Sequence, residues 1–379
     1  MSSVSTWLAG RTRLFESSGI RKVFDLAATL DDPINLSIGQ PDFDVPEIGR
    51  EAACEAIRSR KNGYALTQGM PVLREKLGES IRHDCGHDVL SKGADHGLLV
   101  TSGTSGGLLL ALQCLVDPGD EVIMFDPFFV MYDALVKMCG GTSVVVETYE
   151  SGFQVDLDRL ESAVTPQTKA IILNSPANPT GVICDDATVR GVAELCARRN
   201  ICLISDEIYR TFCFDAPFVS PLKYNPDVLV LDGFSKSHGM PGWRVGFAHG
   251  PHELIEQMTK FQQYTFVCSP HPFQIAAAAA MDADMTPTID AYRRKRDMVV
   301  EGLTGLYELV KPCGAFYAFP RVPWGTASEF VEYGIREHQL LVIPGNIFSR
   351  RDTHFRISYA ATDTMIERGI EALRQMAKR

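Results

Sequence analysis

The stretch GLLVTSGTSGGLLLALQCLVDPGDEVIMF, residues 97–125, contains a strand pattern, a glycine-rich turn, a helix pattern and a second strand pattern in direct succession. Similar apolar or β-branched runs follow it at residues 142–148, 169–174, 201–206, 228–233 and 244–248. Continuous apolar strands separated by helices are typical of a parallel sheet that is covered on both faces. The sequence therefore predicts an α/β fold with a mostly parallel, seven-stranded sheet between layers of helices.

The 379 residues are enough for one large domain and one smaller domain. We expect the large domain at residues 46–285, because all seven predicted strands lie there. A long amphipathic helix around 292–310 is followed by short strands among turns and helices, which indicates a smaller α+β domain at 286–379. Residues 1–45 are too few to fold alone and should pack against the small domain, which leaves a ligand cleft at the carboxyl ends of the parallel strands.

Composition and charge argue against several classes of protein. The formal net charge of −10 would repel polyanions, so nucleic acid is not an expected partner. The ten cysteines form no C-x-x-C pair and no zinc-like spacing, so we expect neither a metal site nor a disulfide framework. The N-terminus lacks the apolar stretch of a signal peptide, and no apolar run reaches the length of a membrane span. These features predict a soluble, cytoplasmic protein.

Polar residues follow several of the predicted strands at their carboxyl ends. The turn at 102–107 opens into a helix whose exposed amides could bind a phosphate, although an ordinary βα turn would use the same residues. Asp206 could be an acidic ligand or a helix N-cap, and Asn178, between two X-Pro steps, could serve a site or a plain turn. A lysine at a strand end, such as Lys236, is usually a solvated charge. Together with Arg244, however, these groups would engage a phosphorylated aromatic aldehyde.

Six short motifs carry a resemblance to a known family. They are Gly39-Gln40-Pro41-Asp42-Phe43, Tyr64 with Gly69 and Leu73-Arg74, Asn178-Pro179-Thr180-Gly181, Ser205-Asp206-Glu207-Ile208-Tyr209, Ser235-Lys236 with Gly242-Trp243-Arg244-Val245-Gly246, and Phe355-Arg356-Ile357-Ser358. In this order and spacing the chain resembles the class I/II aminotransferases. These are fold-type I enzymes of the aspartate aminotransferase superfamily that use pyridoxal 5'-phosphate (PLP), and the resemblance spans residues 17 to about 360.

The resemblance implies roles for the residues around the PLP ring. Lys236 would form the Schiff base with the aldehyde and would then move the proton between the substrate Cα and the cofactor. Asp206 would pair with the pyridinium nitrogen and keep it protonated. Tyr209 and Asn178 would hydrogen-bond the 3' oxygen, and Phe129 would stack on the ring face.

The phosphate of PLP would be held at the glycine-rich turn. The resemblance implies that the backbone amides of Thr104 and Ser105 bind it together with Arg244, and that the Ser235 hydroxyl adds a contact. In this family the residue at Tyr64 reaches the phosphate of the neighbouring subunit. If so, the active site needs a homodimer.

The substrate-binding residues are implied in the same way. Arg356 would clamp the α-carboxylate through a planar two-point contact, with the Gly39 backbone opposite, and carboxylate binding would favour closure of the two domains. Residues 17–21 would line the pocket for the substrate side chain, where Gly19 leaves room and Ile20 adds an apolar wall. This pocket is compatible with aromatic, kynurenine-like or medium-sized side chains, while related proteins with similar stretches act on aspartate.

The resemblance thus implies transamination between an L-amino acid and a 2-oxo acid, with 2-oxoglutarate as the expected acceptor. A C–S β-lyase could use the same Lys236, Asp206 and Arg356, and would release pyruvate and ammonia without an acceptor. A third alternative is a non-catalytic regulator or scaffold with the same fold. A scaffold would lack one of these three residues, and all three are present.

Overall fold

The computed structural model describes residues 3–17, 19–20 and 30–379. In chain order, its strands are β1 (Ile34–Asn35), β2 (His96–Ser102), β3 (Glu121–Asp126), β4 (Thr142–Glu147), β5 (Thr168–Asn174), β6 (Cys202–Asp206), β7 (Val228–Gly233), β8 (Val245–Pro251), β9 (Tyr317–Ala318), β10 (Leu340–Leu341), β11 (Ile343–Pro344) and β12 (Phe355–Ser358).

Seven of these strands form one large sheet in the order β2-β8-β7-β6-β5-β3-β4. From β7 to β4 the neighbouring strands run parallel, whereas β8 runs antiparallel to both β2 and β7. The predicted α/β fold with a mostly parallel seven-stranded sheet is confirmed.

Several helices have a side-chain cap at their start. In chain order the helices are α1 (Glu47–Arg58), α2 (Pro71–Cys85), α3 (Gly103–Leu115), α4 (Met131–Met138), α5 (Leu157–Ala163), α6 (Asp186–Arg199), α7 (Phe234–Ser237), α8 (His252–Tyr264), α9 (His271–Ala280), α10 (Thr286–Leu303), α11 (Ala327–His338) and α12 (Asp363–Ala377). The helix predicted at 292–310 is α10, which begins and ends earlier. The Asp284 carboxylate accepts from the Thr286 N–H at its start, and Gly305, with φ of 77°, follows its end.

Helices cover both faces of the large sheet, as its apolar strands require. On β7, Leu229 and Leu231 pack into one core with α3 and α8, while Val228 and Val230 pack into another with α6. Because side chains alternate along a strand, β7 is buried on both faces. Because β3, β4, β5, β6 and β7 run in the same direction, their carboxyl ends lie at the same end of the sheet, where the loops that follow these strands meet.

The smaller part of the structure joins both ends of the chain. Ile34 of β1 pairs with Leu340 of β10, and β11, β12 and β9 form a three-stranded antiparallel sheet. Residues 1–2, 18 and 21–29 of the predicted N-terminal segment lie outside the described residues. The division into 1–45, 46–285 and 286–379 stays a prediction. Within the described residues, no helix is long and apolar enough to cross a membrane.

Candidate active site

A cavity of about 740 Å³ opens at the carboxyl ends of the parallel strands and is bounded on one side by β12. The predicted site residues that line it are Ile20, Gly39, Thr104, Ser105, Phe129, Asn178, Asp206, Tyr209, Ser235, Lys236, Arg244 and Arg356. Tyr64 lies elsewhere, at the surface, with 87% of its area exposed. Of the predicted substrate pocket at 17–21, Ser18 and Arg21 lie outside the described residues.

Lys236 lies on the short helix α7, directly after β7. Its Nζ donates a hydrogen bond to the Gly39 carbonyl oxygen at 2.6 Å. Burial lowers the pKa of this amine to about 8, with repulsion from Arg356 and Arg244 acting in the same direction and the Asp206 charge opposing it. Roughly a tenth of the amine is therefore neutral at pH 7, against well under a thousandth at the usual lysine pKa, and this neutral form can act as a nucleophile.

Asp206 ends β6 with its carboxylate buried at the wall of the cavity. Its Oδ2 accepts a hydrogen bond from the Tyr132 hydroxyl at 2.6 Å, and its Oδ1 accepts one from the Ile208 N–H at 3.3 Å. Burial raises the pKa of this carboxyl, while the Tyr132 bond and the Lys236 charge lower it. Turn residues rather than a helix follow Asp206, so the N-cap alternative is wrong.

Thr104 and Ser105, at the start of α3, line the cavity together with Arg244 and Ser235. We call these four residues the anion seat. The first N–H groups of a helix have no partner within the helix, and they lie at the positive end of its dipole. The Thr104 hydroxyl oxygen is buried and has no hydrogen-bond partner among the described residues. Arg244 donates to the Pro241 carbonyl at 3.0 Å and to the Ser102 carbonyl at 3.2 Å, which holds its guanidinium beside this turn.

Ser235 precedes Lys236 on α7 and is buried at the cavity wall. The seat therefore has amides, hydroxyls and a guanidinium within one small region. These are the groups that proteins use for phosphate.

Arg356 lies on β12 and is only 2% exposed. One terminal nitrogen donates to the Asn178 side-chain oxygen at 2.9 Å, and the other donates to the Ser37 carbonyl at 2.8 Å. Its guanidinium carbon lies 4.5 Å from the ring centre of Tyr317 and 4.7 Å from that of Phe348. Burial lowers the pKa of Arg356, but a guanidinium stays charged in proteins, so this is a fixed cation for a carboxylate.

Two tyrosine hydroxyls meet near Lys236. The oxygens of Tyr209 and Tyr317 are 2.8 Å apart, and burial raises the pKa of Tyr209 well above its usual value. The hydroxyls thus stay protonated and can donate. A Cβ at Gly39 would lie 2.4 Å from the Tyr317 hydroxyl, so only glycine allows this close approach.

Sequence reasoning missed Tyr132, Asn174 and Tyr317, which line the cavity and make hydrogen bonds there. Tyr132 follows Phe129 by three positions, and the two rings meet edge to face with centroids 5.8 Å apart. Asn174 donates to the Asp206 carbonyl at 3.0 Å and accepts from the Asn178 N–H at 2.8 Å, so it joins two loops of the site. Tyr317 lies on β9, far along the chain from the motifs. A helical spacing from Phe129 could have pointed to Tyr132, whereas no local pattern indicates Tyr317.

One wall of the cavity is apolar. Met131, Ala134, Leu135 and Met138 recur at the spacing of a single face of α4, and Leu108 of α3 lies with them in the lining. Among the described lining residues, the cations are Lys236, Arg244 and Arg356.

Comparison with known proteins gave concordant matches over nearly the whole chain. Residues 31–373 match the family described as aminotransferase class I and II. A probable aspartate aminotransferase of Methanocaldococcus jannaschii is 34% identical, covering 97% of this chain and 99% of that protein. The aromatic-amino-acid aminotransferase 2 of Thermococcus litoralis is also 34% identical, covering 98% of each. A solved structure of Thermus thermophilus aspartate aminotransferase with maleate superposes with a TM-score of 0.92 at 34% identity, covering 97% of this chain and 99% of that one.

Proposed function

The chain belongs to the class I and II aminotransferases, and we propose that its cavity binds PLP between Lys236, Asp206 and the anion seat. As an aminotransferase, the protein moves an amino group between an amino acid and a 2-oxo acid. The observation that carries the cofactor proposal is that an amine of lowered pKa, a buried carboxylate and an anion seat all line one cavity. When bound, PLP supplies an electron-withdrawing ring that accepts the electron pair of the donor's Cα–H bond.

The residues fit the chemical groups of PLP. Lys236, with its pKa lowered to about 8, is the amine that would hold the aldehyde carbon and then carry the proton to and from the substrate Cα. Asp206 would accept a hydrogen bond from the ring N–H, which also supplies the positive charge that a buried carboxylate needs. Tyr209 and Asn178 would donate to the 3' oxygen, and Phe129 would cover the ring face.

The anion seat would take the phosphate. The orphaned Thr104 hydroxyl, the Ser105 amide and the Ser235 hydroxyl would donate to its oxygens, and Arg244 would balance its charge. A phosphate therefore satisfies a buried polar atom that the described residues leave unpaired.

We also propose a cytoplasmic homodimer in which Tyr64 reaches the neighbouring site. Tyr64 and Tyr264 are 87% and 85% exposed, and the segments that carry them are joined by a hydrogen bond of 2.6 Å from Gln262 to the Thr67 carbonyl. Phe266 of this surface lies against α3 beside the anion seat, since a Cβ at Gly106 would be 3.5 Å from its ring. Exposed aromatic patches of this kind mark protein–protein interfaces, which supports the homodimer. The ten free thiols fit a reducing compartment, which supports the cytoplasm.

Arg356 would bind the α-carboxylate of the substrate, with the Gly39 backbone opposite. The apolar wall along α4 then offers a surface for the substrate side chain. We therefore propose that donors with aromatic or aliphatic side chains are preferred to aspartate, with Ile20 closing the pocket. The acceptor 2-oxoglutarate remains an expectation from the family.

The experiment is a panel of single half-reactions on the purified protein loaded with PLP. A true donor converts the absorption of the bound cofactor to that of its amino form, and a 2-oxo acid reverses the change. We expect kcat/KM for phenylalanine or leucine to exceed that for aspartate by at least about tenfold, because burying such a side chain contributes roughly 1.5–3 kcal/mol. Failure of the protein to take up PLP would overturn the cofactor proposal, and release of pyruvate and ammonia from a cysteine conjugate without an acceptor would indicate a C–S β-lyase.

The side-chain pocket is tested by Ala134→Phe, which fills the apolar wall from α4. Phenylalanine turnover should fall at least about tenfold, because the larger side chain occupies the space that the donor needs. Alanine is the internal control, because its methyl group does not reach the wall. An equal loss with both donors would show that the pocket lies elsewhere.

A further inference from the structure

The hydrogen bond between Tyr132 and Asp206 has no part in the proposed function so far. The Tyr132 hydroxyl donates to Asp206 Oδ2 at 2.6 Å, and both side chains are buried. The tyrosine ring is fixed by α4 and by its edge-to-face contact with Phe129. This donor is therefore held in place before any ligand arrives.

We propose that Tyr132 is a positioning residue that keeps the Asp206 carboxylate ionised and aimed into the cavity, toward the ring nitrogen of the cofactor. The inference rests on the proposed function, because it assigns Tyr132 through Asp206 and not through any contact with substrate.

Asp206 has few other groups to hold its side chain. The bond from the Ile208 N–H to Oδ1 is long, at 3.3 Å, and the bond from Asn174 reaches the main-chain oxygen and not the carboxylate. The short bond from Tyr132 is thus the principal restraint on the orientation of the carboxylate.

The same bond stabilises the charge of Asp206. A hydrogen bond donated to a carboxylate favours the ionised form and so lowers its pKa, opposing the upward shift that burial causes. The other ionisable groups whose charges act with Asp206 are Lys236 on α7, Tyr209 and Glu207 after β6, and Asp232 on β7. Among these groups Lys236 is the cation, so before the ring N–H of PLP arrives the Asp206 carboxylate depends on that amine and on hydrogen bonds, of which the one from Tyr132 is the shortest.

The test is Tyr132→Phe, which removes the hydroxyl and keeps the ring. The affinity of the apoprotein for PLP, measured by equilibrium titration across pH, should fall about tenfold at neutral pH, the value of one hydrogen bond to a charged group. The pH below which binding weakens should also move up by about one unit, since Asp206 then takes a proton more readily. Tyr149→Phe is the matched control, because it removes a hydroxyl that donates to Ser349 at 2.7 Å outside this cavity. It should leave both quantities unchanged.

A double variant separates positioning from a general loss of packing. In an Asp206→Asn background, Tyr132→Phe should cost little further affinity, because the charge that it supports is gone. The role of Tyr132 alone would be overturned by either of two results. One is a full tenfold loss of PLP affinity in the Asp206→Asn background, and the other is a pH profile of PLP binding for Tyr132→Phe that is identical to that of the wild type. A wild-type protein that captures no PLP would instead overturn the proposed function, and this role with it.

Discussion

At the scale of single residues, the environment of the Lys236 amine sets the pH range in which the proposed capture of PLP would occur. Burial and two nearby guanidinium groups lower its pKa to about 8. The amine is protonated below that pH and neutral above it, and only the neutral form attacks an aldehyde. We therefore expect the rate of covalent capture by the apoprotein to rise about tenfold per pH unit below 8 and to level off above it. Rapid-mixing absorption measurements give this profile directly.

Two variants test whether the Lys236 amine and its lowered pKa cause this pH profile. Lys236→Ala should fold and bind PLP without a covalent link at any pH. Arg356→Gln should move the midpoint upward, because the strongest repelling charge is removed from the amine. A wild-type midpoint near 10.5, the ordinary lysine value, would show that the amine is not buried among cations.

Several site residues that were predicted from the sequence share a position at the carboxyl end of a strand. Asp206 ends a strand of the large sheet, Asn178 and Lys236 each follow one shortly after its end, and the carboxyl ends of these parallel strands lie together. Tyr132 and Tyr317 do not follow those strands. Tyr132 contacts Asp206 and Tyr317 contacts Tyr209, in both cases across a long separation in the chain. The periodicity of apolar residues does not predict such contacts.

At the scale of elements, the anion seat depends on close contact between α3 and Arg244. Gly103 begins α3 with φ of 65°, and a Cβ there would lie 2.4 Å from Arg244 Nη2. Gly103→Ala should therefore displace the guanidinium and strain the helix start, and the affinity for PLP should fall about tenfold, as expected for the loss of a charge-assisted contact.

Pyridoxal and a nearby glycine supply the controls for that variant. Pyridoxal lacks the phosphate, so Gly103→Ala should capture it as well as the wild type does. Gly242→Ala lies in the same loop as Arg244, but its Cβ would meet no atom within 4 Å, and it should bind PLP normally. Equal weakening of PLP and pyridoxal would show that the change acts on the whole cavity and not on the seat.

The elements themselves were predictable to different degrees. Apolar runs located the strands of the large sheet because most of those strands are buried on both faces, and even the half-exposed edge strand β4 keeps a β-branched run. The antiparallel direction of β8 could not be foreseen, since an apolar run has no direction. The start of α10 depends on Asp284 and its end precedes Gly305, and the amphipathic pattern alone placed the helix too late.

At the scale of the whole molecule, the cavity is bounded by parts that lie far apart in the chain. Lys236 follows β7 of the large sheet, Arg356 lies on β12, and Ser37 near the N-terminus accepts a hydrogen bond from that arginine. A substrate bound through its α-carboxylate to Arg356 would connect these parts. Carboxylate binding would then be coupled to their relative position, which is a physical reason to expect closure.

The proposed homodimer, in which Tyr64 reaches the neighbouring site, predicts how two inactive variants behave when they are mixed. Tyr64 is 87% exposed and does not line the cavity of its own chain, so a contribution to catalysis would have to reach the site of a partner. Tyr64→Ala and Lys236→Ala chains should each have impaired sites as homodimers. When the two chains are mixed and allowed to exchange, each heterodimer has one site with both an intact lysine and the partner's tyrosine. An equal mixture should therefore regain about a quarter of the wild-type sites, since half of the dimers are mixed and half of their sites are complete. Activity that stays at the average of the two parents would place Tyr64 outside the neighbouring site.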